Sequence, residues 1–313
     1  MNEMDTATPV TAAEVPPLIG GSRRWQQGSG EDAGQPLITI ITSTFNAARD
    51  LHWTIDSIRA QTYPRIQWIV ADGASKDGTV DVLRQNEDII DVWFSAPDKG
   101  IYDAWNKALE YVHGEWVQFI GAGDELAEAE TLEKVAPYLA SAYPAHDIVY
   151  GRLAYISEGK RQLIEEVGMP WEEMKGKWEG YRPKLPVHPE VFHHASIFNC
   201  SPSFDISYRI AGDSHFLMRQ LKKKDFMYMP VLVDRMPAGG ASGRTDSFKK
   251  ALRETRRASR ELGFKPPLLH VVFENFKFLF KCVLIFAFRG RFSKQGYDFF
   301  RNLIGKEKKW SVE

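Results

Sequence analysis

An alternation constrains this chain more than any other feature. Between residues 37 and 151, five short runs rich in apolar and β-branched residues recur, with a helix-patterned stretch between each pair. LITIITS (37–43) reads as a buried strand. After it, Leu51, Ile55 and Ile58 fall at i, i+4 and i+7, the spacing of one helix face, and Asn46 is placed to cap that helix. QTYP ends it, because proline disfavours helical backbone in the residue before it. IQWIVA (66–71), DVWFS (91–95), EWVQFI (115–120) and DIVYG (147–151) repeat the strand pattern. TVDVLRQ, the stripe Ile101, Trp105, Ala108, Leu109, Val112, and TLEKVAPYLA repeat the helix pattern. This order predicts an α/β fold with a mainly parallel sheet flanked by helices. Ligands of such sheets bind beyond the carboxyl ends of the strands. Four loops rich in Asp, Ser, Thr and Gly fall there: TSTFNA, ADGASKDGT, SAPDKG and GAGDE.

After Gly151 the order changes. RLAYISEGKRQLIEE reads as a hairpin turning at SEGK, and residues 168–190 as an irregular stretch. VFHHASIFN and FMYMPVLV read as strands and AGDSHFLMRQL as a helix. TDSFKKALRETRRASREL reads as a charged helix with Phe248, Leu252 and Leu262 inward. Residues 1–35, rich in Thr, Ala, Pro, Gly and Ser, read as a disordered tail without the apolar run of a secretory signal. The division is then a tail (1–35), an α/β domain (36–262) and a C-terminal helical extension (263–313). A net charge of −1 gives no sign of a nucleic-acid partner. Cys200 and Cys282 lie far apart among apolar residues, which fits a reducing cytosol rather than a disulfide framework.

ITIITSTFNAARDLHWTIDSIRAQTYPRIQWIVADGASKDGTVDVL and SAPDKGIYDAWNKALEYVHGEWVQFIGAGDEL agree in order, spacing and residue type with a known pattern. They resemble the inverting glycosyltransferases of family 2, with the GT-A nucleotide-sugar fold, and are most similar to bacterial members that build exopolysaccharide or lipid-linked glycans. The likeness extends over about residues 37 to 245.

The resemblance implies a reaction and a set of residues. A sugar would pass from a nucleotide-diphosphate donor, by family habit a UDP-sugar, to a glycan or polyprenyl-linked acceptor. Thr42 and Thr44 would lie against the nucleotide, and Asp72 would accept a hydrogen bond from the base. Asp98 resembles a second nucleotide-side acid, Lys99 would approach phosphate or sugar, and Asp103 would face the donor sugar. Local chemistry alone also allows Asp72 as a turn acid, Asp98 as a helix cap and Asp103 as a first-turn helix acid. Asp124 falls at the last acid of the family's D-x-D motif, which implies Mg²⁺ or Mn²⁺ beside the diphosphate. Ala122 stands where that motif has its first Asp, and Gly123 lets the backbone approach the diphosphate. FDISYRIAGDSHFLMRQ matches the stretch that carries the base, so Asp213 is the implied base, with Glu190 a weaker candidate; a first-turn helix acid is the other reading of Asp213. His193, in H-H-A-S-I-F, would meet diphosphate or acceptor, or be a satisfied strand histidine. Arg244, in AGGASGR, would meet phosphate or solvent. The alternative to an enzyme is a non-catalytic nucleotide-sugar-binding or scaffold protein on the same fold; the retained Asp72, Asp98, Asp124 and Asp213 weigh against it.

Residues 263–313 carry ten Lys or Arg and four Asp or Glu. Glu274, Lys277 and Lys281 interrupt the apolar run, so a spanning helix is not expected. A Phe- and Lys-rich helix fits an anionic membrane surface, placing the protein peripherally on the cytoplasmic face. Packing of this segment on the domain or on a second copy is the other expectation.

Overall fold

The computed structural model describes residues 18–22, 34–199, 203–238 and 245–276. Arg244, both cysteines and everything beyond residue 276 lie outside the described residues.

In chain order the strands are β1 (Leu18–Gly20), β2 (Ile38–Thr44), β3 (Ile66–Asp72), β4 (Val92–Ser95), β5 (Trp116–Gly121), β6 (Glu125–Leu126), β7 (Ile148–Ile156), β8 (Leu163–Val167), β9 (Trp178–Glu179), β10 (Arg182–Pro183), β11 (Val191–His194) and β12 (Met227–Pro237). The helices are α1 (Leu51–Arg59), α2 (Thr79–Gln85), α3 (Ile101–Ala108), α4 (Thr131–Ala142), α5 (Trp171–Met174), α6 (Gly212–Leu221) and α7 (Thr245–Glu261). The four expected strands β2 to β5 form a parallel block in the order β4-β3-β2-β5. Beyond β5 the order runs β11-β7-β12-β6, with β11 antiparallel to both its neighbours and β12 parallel to β7. The fifth strand of the alternation, β7, is therefore separated from the parallel block by β11.

Alternation along the strands divides the core in two. Ile38, Ile40, Trp68, Val70 and Ile120 pack with Leu51, Ile55 and Ile58 of α1 and Leu132, Val135 and Leu139 of α4. On the opposite face Ile41, Ile69, Val117 and Phe119 meet Tyr102 and Trp105 of α3 and Phe216 and Leu217 of α6. This layering places the loops after β2, β3, β4 and β5 at one edge of the sheet.

Several local readings differ from the structure. Residues 1–35 are not all tail, since β1 pairs antiparallel with β4. Asn46 does not cap α1. It sits at φ 50, and its Oδ1 accepts from the Lys76 N–H at 3.0 Å, stitching the first two loops together. The stretch 168–190 holds α5, the β9–β10 hairpin and a 3₁₀ turn at His188–Glu190. Trp171, Met174 and Tyr181 are buried there, so aromatic burial orders a segment that lacks a regular pattern. In α7 the buried positions are Glu254, Ala258 and Ser259, while Leu252 and Leu262 are partly buried and the side chain of Phe248 is not described.

Helix α3 clasps the two halves of the domain. The Asn106 Nδ2–H donates to the Phe204 carbonyl at 2.8 Å, and its Oδ1 accepts from the Phe204 N–H at 2.9 Å. Replacing one partner of a part-buried pair leaves the other unsatisfied, at a cost of about 1–3 kcal/mol each. Asn106→Ala is therefore expected to lower the urea midpoint without changing the m-value, whereas Lys107→Ala, whose ion pair with Asp103 is part-exposed, leaves it almost unmoved.

Candidate functional site

The loops after β2, β3 and β4 converge on Asp72. Thr44 Oγ1 donates to its Oδ1 at 2.8 Å, Ser95 Oγ to its Oδ2 at 2.6 Å and the Ser75 N–H to its Oδ2 at 2.9 Å. The Ser75 hydroxyl donates to Oδ1 as well. The four acceptor directions of this buried carboxylate are thus filled by protein, and a base reaches Asp72 only if a serine hydroxyl turns away. Asp98 lies alongside. Its Oδ1 accepts from the Gly100 N–H at 2.7 Å, and a Cβ on Gly73 would stand 2.6 Å from its Oδ2. Glycine at 73 is what admits Asp98 to the edge. Phe45, 68% exposed, projects over the same Gly73, which its Cδ2 approaches to 3.3 Å of a built Cβ. Sequence reading passed over Phe45; a large aromatic in an otherwise polar loop was the available signal.

Two expected contacts point elsewhere. Thr42 is wholly buried and its hydroxyl accepts from the Trp68 indole at 3.1 Å, because its position in β2 faces the α1 layer. Asp103 accepts from the Lys99 N–H at 3.0 Å and pairs with Lys107 at 3.0 Å, which ties it to the first turn of its own helix. The Lys99 side chain is exposed at the edge.

GAGDE forms the fourth loop. Gly123 takes φ 96, a left-handed conformation that favours glycine. Its N–H donates to Thr54 Oγ1 at 2.9 Å, and Thr54 in turn donates to the Asp124 carbonyl at 2.7 Å. The Gly121 N–H holds Asp124 Oδ2 at 2.7 Å, and Oδ1 has no hydrogen-bond partner among the described residues. Burial pushes the Asp124 carboxyl up to about 7, opposed by Gly121 and Arg161 and aided by Glu125. A half-open carboxylate is a hard oxygen donor, the chemistry Mg²⁺ and Mn²⁺ prefer. Among the described residues no three His, Cys, Asp or Glu side chains form a ready-made metal site, so the fit is to a cation that brings phosphate oxygens with it.

Arg161, at the tip of the β7–β8 hairpin, braces this loop. Its Nη2 donates to the Gly123 carbonyl at 2.8 Å, it pairs with Glu125, and its guanidinium lies 4.7 Å over the Trp53 ring. Arg161 itself sits at φ 54, and Arg235 donates to its carbonyl at 3.0 Å. Nothing local in SEGKR marks this residue; only the register of β7 against β8 brings it here.

Asp213 occupies the first turn of α6, half-buried. Its Oδ1 accepts from the Ser214 N–H at 2.7 Å and lies 3.3 Å from the Tyr102 hydroxyl, whose shorter bond goes to the Ile210 carbonyl at 2.7 Å. Burial raises its carboxyl above the usual range, against the pull of Ser214, Arg182 and Tyr102. The turn before it is held by Glu254 of α7, which accepts from the N–H groups of Arg209, Ile210 and Ala211 at 2.8–3.1 Å. Gly212 has room for no side chain, since a Cβ would stand 2.6 Å from the Tyr102 ring.

His193 does not reach this edge. It is wholly buried, Nδ1–H donates to the Val117 carbonyl at 3.1 Å, and the ring packs on Phe119, Phe198 and Phe216. Desolvation holds it neutral, well below the usual histidine range. Glu190 is buried too: Oε1 accepts from the Val187 N–H at 2.9 Å, Oε2 is unpartnered, and burial raises it to about 8. At 1% exposure its carboxyl is closed off from an incoming acceptor, which argues against Glu190 as the base.

Known proteins share this sequence pattern and this fold. The sequence profile of the family described as Glycosyl transferase family 2 matches residues 39–204. A PGL/p-HBAD biosynthesis glycosyltransferase of Mycobacterium bovis is 26% identical over 230 residues, covering 72% of this chain and 86% of the relative. A putative teichuronic acid biosynthesis glycosyltransferase of Bacillus subtilis, TuaG, is 34% identical over 108 residues, 34% of this chain and 42% of that one. Among solved structures, S. aureus TarS 1–349 in complex with UDP-GlcNAc superposes with a TM-score of 0.55 at 15% identity, over 82% of this chain and 77% of that one. The mannosyltransferase PcManGT from Pyrobaculum calidifontis, in complex with GDP-Man and Mn²⁺, gives 0.51 at 16% identity, over 91% and 93%. The fold is accordingly GT-A.

The raised acids set a pH dependence. Folded Glu190 keeps its proton up to about pH 8, whereas the unfolded chain releases it near 4.5. Between those values the native state binds more protons, so stability falls as pH rises, by up to about 1.4 kcal/mol per pH unit for one group. Urea midpoints of the protein free of metal and donor are expected to drop from pH 5 to pH 8, and Glu190→Gln to drop less steeply.

Proposed function

Because the chain belongs to glycosyl transferase family 2, and so acts as a glycosyltransferase in glycan biosynthesis, we propose that it moves a hexose from a UDP-sugar to a hydroxyl of a glycan or polyprenyl-linked acceptor, with inversion at the anomeric carbon. The observation that carries this reading is Asp213. It stands at a helix start, half-buried, held through Ser214 and close to the Tyr102 hydroxyl, with its carboxyl raised by burial above the usual range. A base is most effective when its proton affinity lies near the working pH.

In this reading the acceptor hydroxyl oxygen forms the new bond to the anomeric carbon as the bond to the diphosphate oxygen breaks. The hydroxyl proton goes to Asp213, and the bond electrons leave with the nucleoside diphosphate. The three N–H donors on Glu254 and the Tyr102 ring against Gly212 fix the turn, so the carboxylate meets the incoming hydroxyl without rearranging. At the nucleotide end, the exposed Phe45 ring offers a face for the base to stack on. Thr44, Asp72 and Asp98 shape the edge below it, and Lys99 offers a free ammonium to phosphate. Gly123 gives the diphosphate close access to the backbone. Asp124 would hold Mg²⁺ or Mn²⁺, which when bound neutralises charge on the leaving diphosphate. That two superposable enzymes carry UDP-GlcNAc or GDP-Man with Mn²⁺ supports the donor class.

The C-terminal segment supports a peripheral place on the cytoplasmic face. Residues 268–276 form a helix that docks through the His270 Nε2–Gly180 carbonyl contact at 2.8 Å and the Tyr181 hydroxyl–Asn275 bond at 2.7 Å. Leu268, Leu269, Val272 and Phe276 are left exposed, and Lys277, Lys281, Arg289 and Arg291 follow in sequence. An apolar face followed by basic residues suits anionic lipid. Among the described residues no helix is long and apolar enough to cross a membrane.

Asp213→Asn is expected to cut turnover by roughly 10²–10⁴-fold while UDP binding, read by calorimetry, is kept. Unchanged turnover would remove Asp213 as the base, and retention of configuration in the product's anomeric NMR signal would remove the single displacement. The full chain is expected to float with phosphatidylglycerol vesicles, and a Leu269→Glu/Phe276→Glu double variant to stay behind. Equal flotation of the two sinks the membrane reading.

A further inference from the structure

We propose that Asp234 supplies a second carboxylate to the cation site, in place of the acid that Ala122 leaves out. The inference rests on the reading of Asp124 as the cation-holding residue.

Asp234 is delivered by an irregularity in β12. Leu232 pairs with Arg152 of β7, yet Asp234 pairs with the very next residue, Leu153, so Val233 is an extra residue on one side of the ladder. Bulges of this kind bend a strand and re-aim a side chain, and they recur beside active sites. On its other edge β12 runs antiparallel to β6, where Asp234 opposes Leu126 and Arg235 opposes Glu125. The bulge therefore sets Asp234 diagonally across from Asp124, two residues before Leu126.

The state of Asp234 is unusual for a structural residue. It is wholly buried, and neither carboxylate oxygen has a hydrogen-bond partner among the described residues. The acids that act on it most strongly are Asp124 first, then Glu190 and Glu125, with Arg161 opposing them. Arg161 is already engaged by Glu125 and the Gly123 carbonyl. Burying an acid among acids without a partner costs stability, so such a group calls for a reason. A hard divalent cation beside Asp124 supplies one. Mg²⁺ and Mn²⁺ in phosphate-transfer sites commonly take one or two carboxylates, the remaining ligands being phosphate oxygens and water. In this chain one would come from the loop between β5 and β6 and the other from β12, rather than both from one D-x-D stretch, which is why the sequence motif looks one acid short.

Mn²⁺ binding, read by the loss of the free-ion EPR signal with UDP or GDP present, whichever the wild type binds, tests this. Asp234→Asn is expected to weaken Mn²⁺ binding by roughly 10–100-fold while its melting temperature stays equal or rises, since the amide removes a buried unpaired acid. Wild-type Mn²⁺ affinity in Asp234→Asn overturns the inference, as does a lowered melting temperature with affinity kept, which marks a purely structural residue. Asp124→Asn is measured in parallel. If it alone leaves Mn²⁺ binding intact, the role given to Asp124 falls while Asp234 stands on its own result. Should Asp234→Asn not fold, Asp234→Ser is read by the same criteria.

Discussion

The turn that carries Asp213 is held by one carboxylate. Glu254, 45 residues further along the chain than Arg209, accepts three consecutive backbone N–H groups at Arg209, Ile210 and Ala211. Charge-assisted bonds to backbone amides are among the stronger ones a protein makes, and here they fix peptide planes rather than a side chain. Tyr102 closes the other side by donating to the Ile210 carbonyl while its ring covers Gly212. Asn106, one turn along α3, grips Phe204. Helices α3 and α7 together thus determine where the first turn of α6 begins, and so where the proposed base stands.

The other end of the site is organised by a crowd of carboxyl groups. Asp124, Glu125, Asp234 and Glu190 share a buried neighbourhood whose cations are Arg161 and Arg235. Such a balance is poor for stability and suited to a ligand that brings positive charge. The left-handed Arg161 fits the same view: a strained backbone at a hairpin tip is tolerated where the surrounding contacts over-determine it.

Much of this was legible in the sequence. The period-2 and period-3.6 patterns located β2 to β5 and their helices, because a strand buried on both faces and an amphipathic helix leave strong marks. Asp72, Asp98, Asp124 and Asp213 were picked out by the family resemblance, because local chemistry alone allows an acid at a strand end or helix start to be a turn acid or a helix cap. What failed was orientation. Thr42 and Thr44 are two residues apart on β2, yet Thr42 lies deep in the sheet against Trp68 while Thr44 sits at its end on Asp72; depth along a strand is not written in residue type. His193 lies on a strand flanked by others on both sides, which buried it. Arg161, Glu254 and Asp234 were invisible for a different reason. Each acts across a distance of tens of residues, through hairpin register, helix docking or a bulge, and no local window contains both partners.

The short β1 carries one more consequence. Through Leu18–Gly20 it is the outermost strand on the parallel side and lies on β4, with Gly20 tight against the Trp93 indole and Glu87. Without it, β4 would present a row of unpaired N–H and C=O groups on a short, apolar strand, a template for pairing with another chain. The stretch before residue 35 thus holds a guard against edge-to-edge association. A shortened protein that begins at the first parallel strand would keep every residue of the proposed site and still be prone to self-association through this uncovered edge.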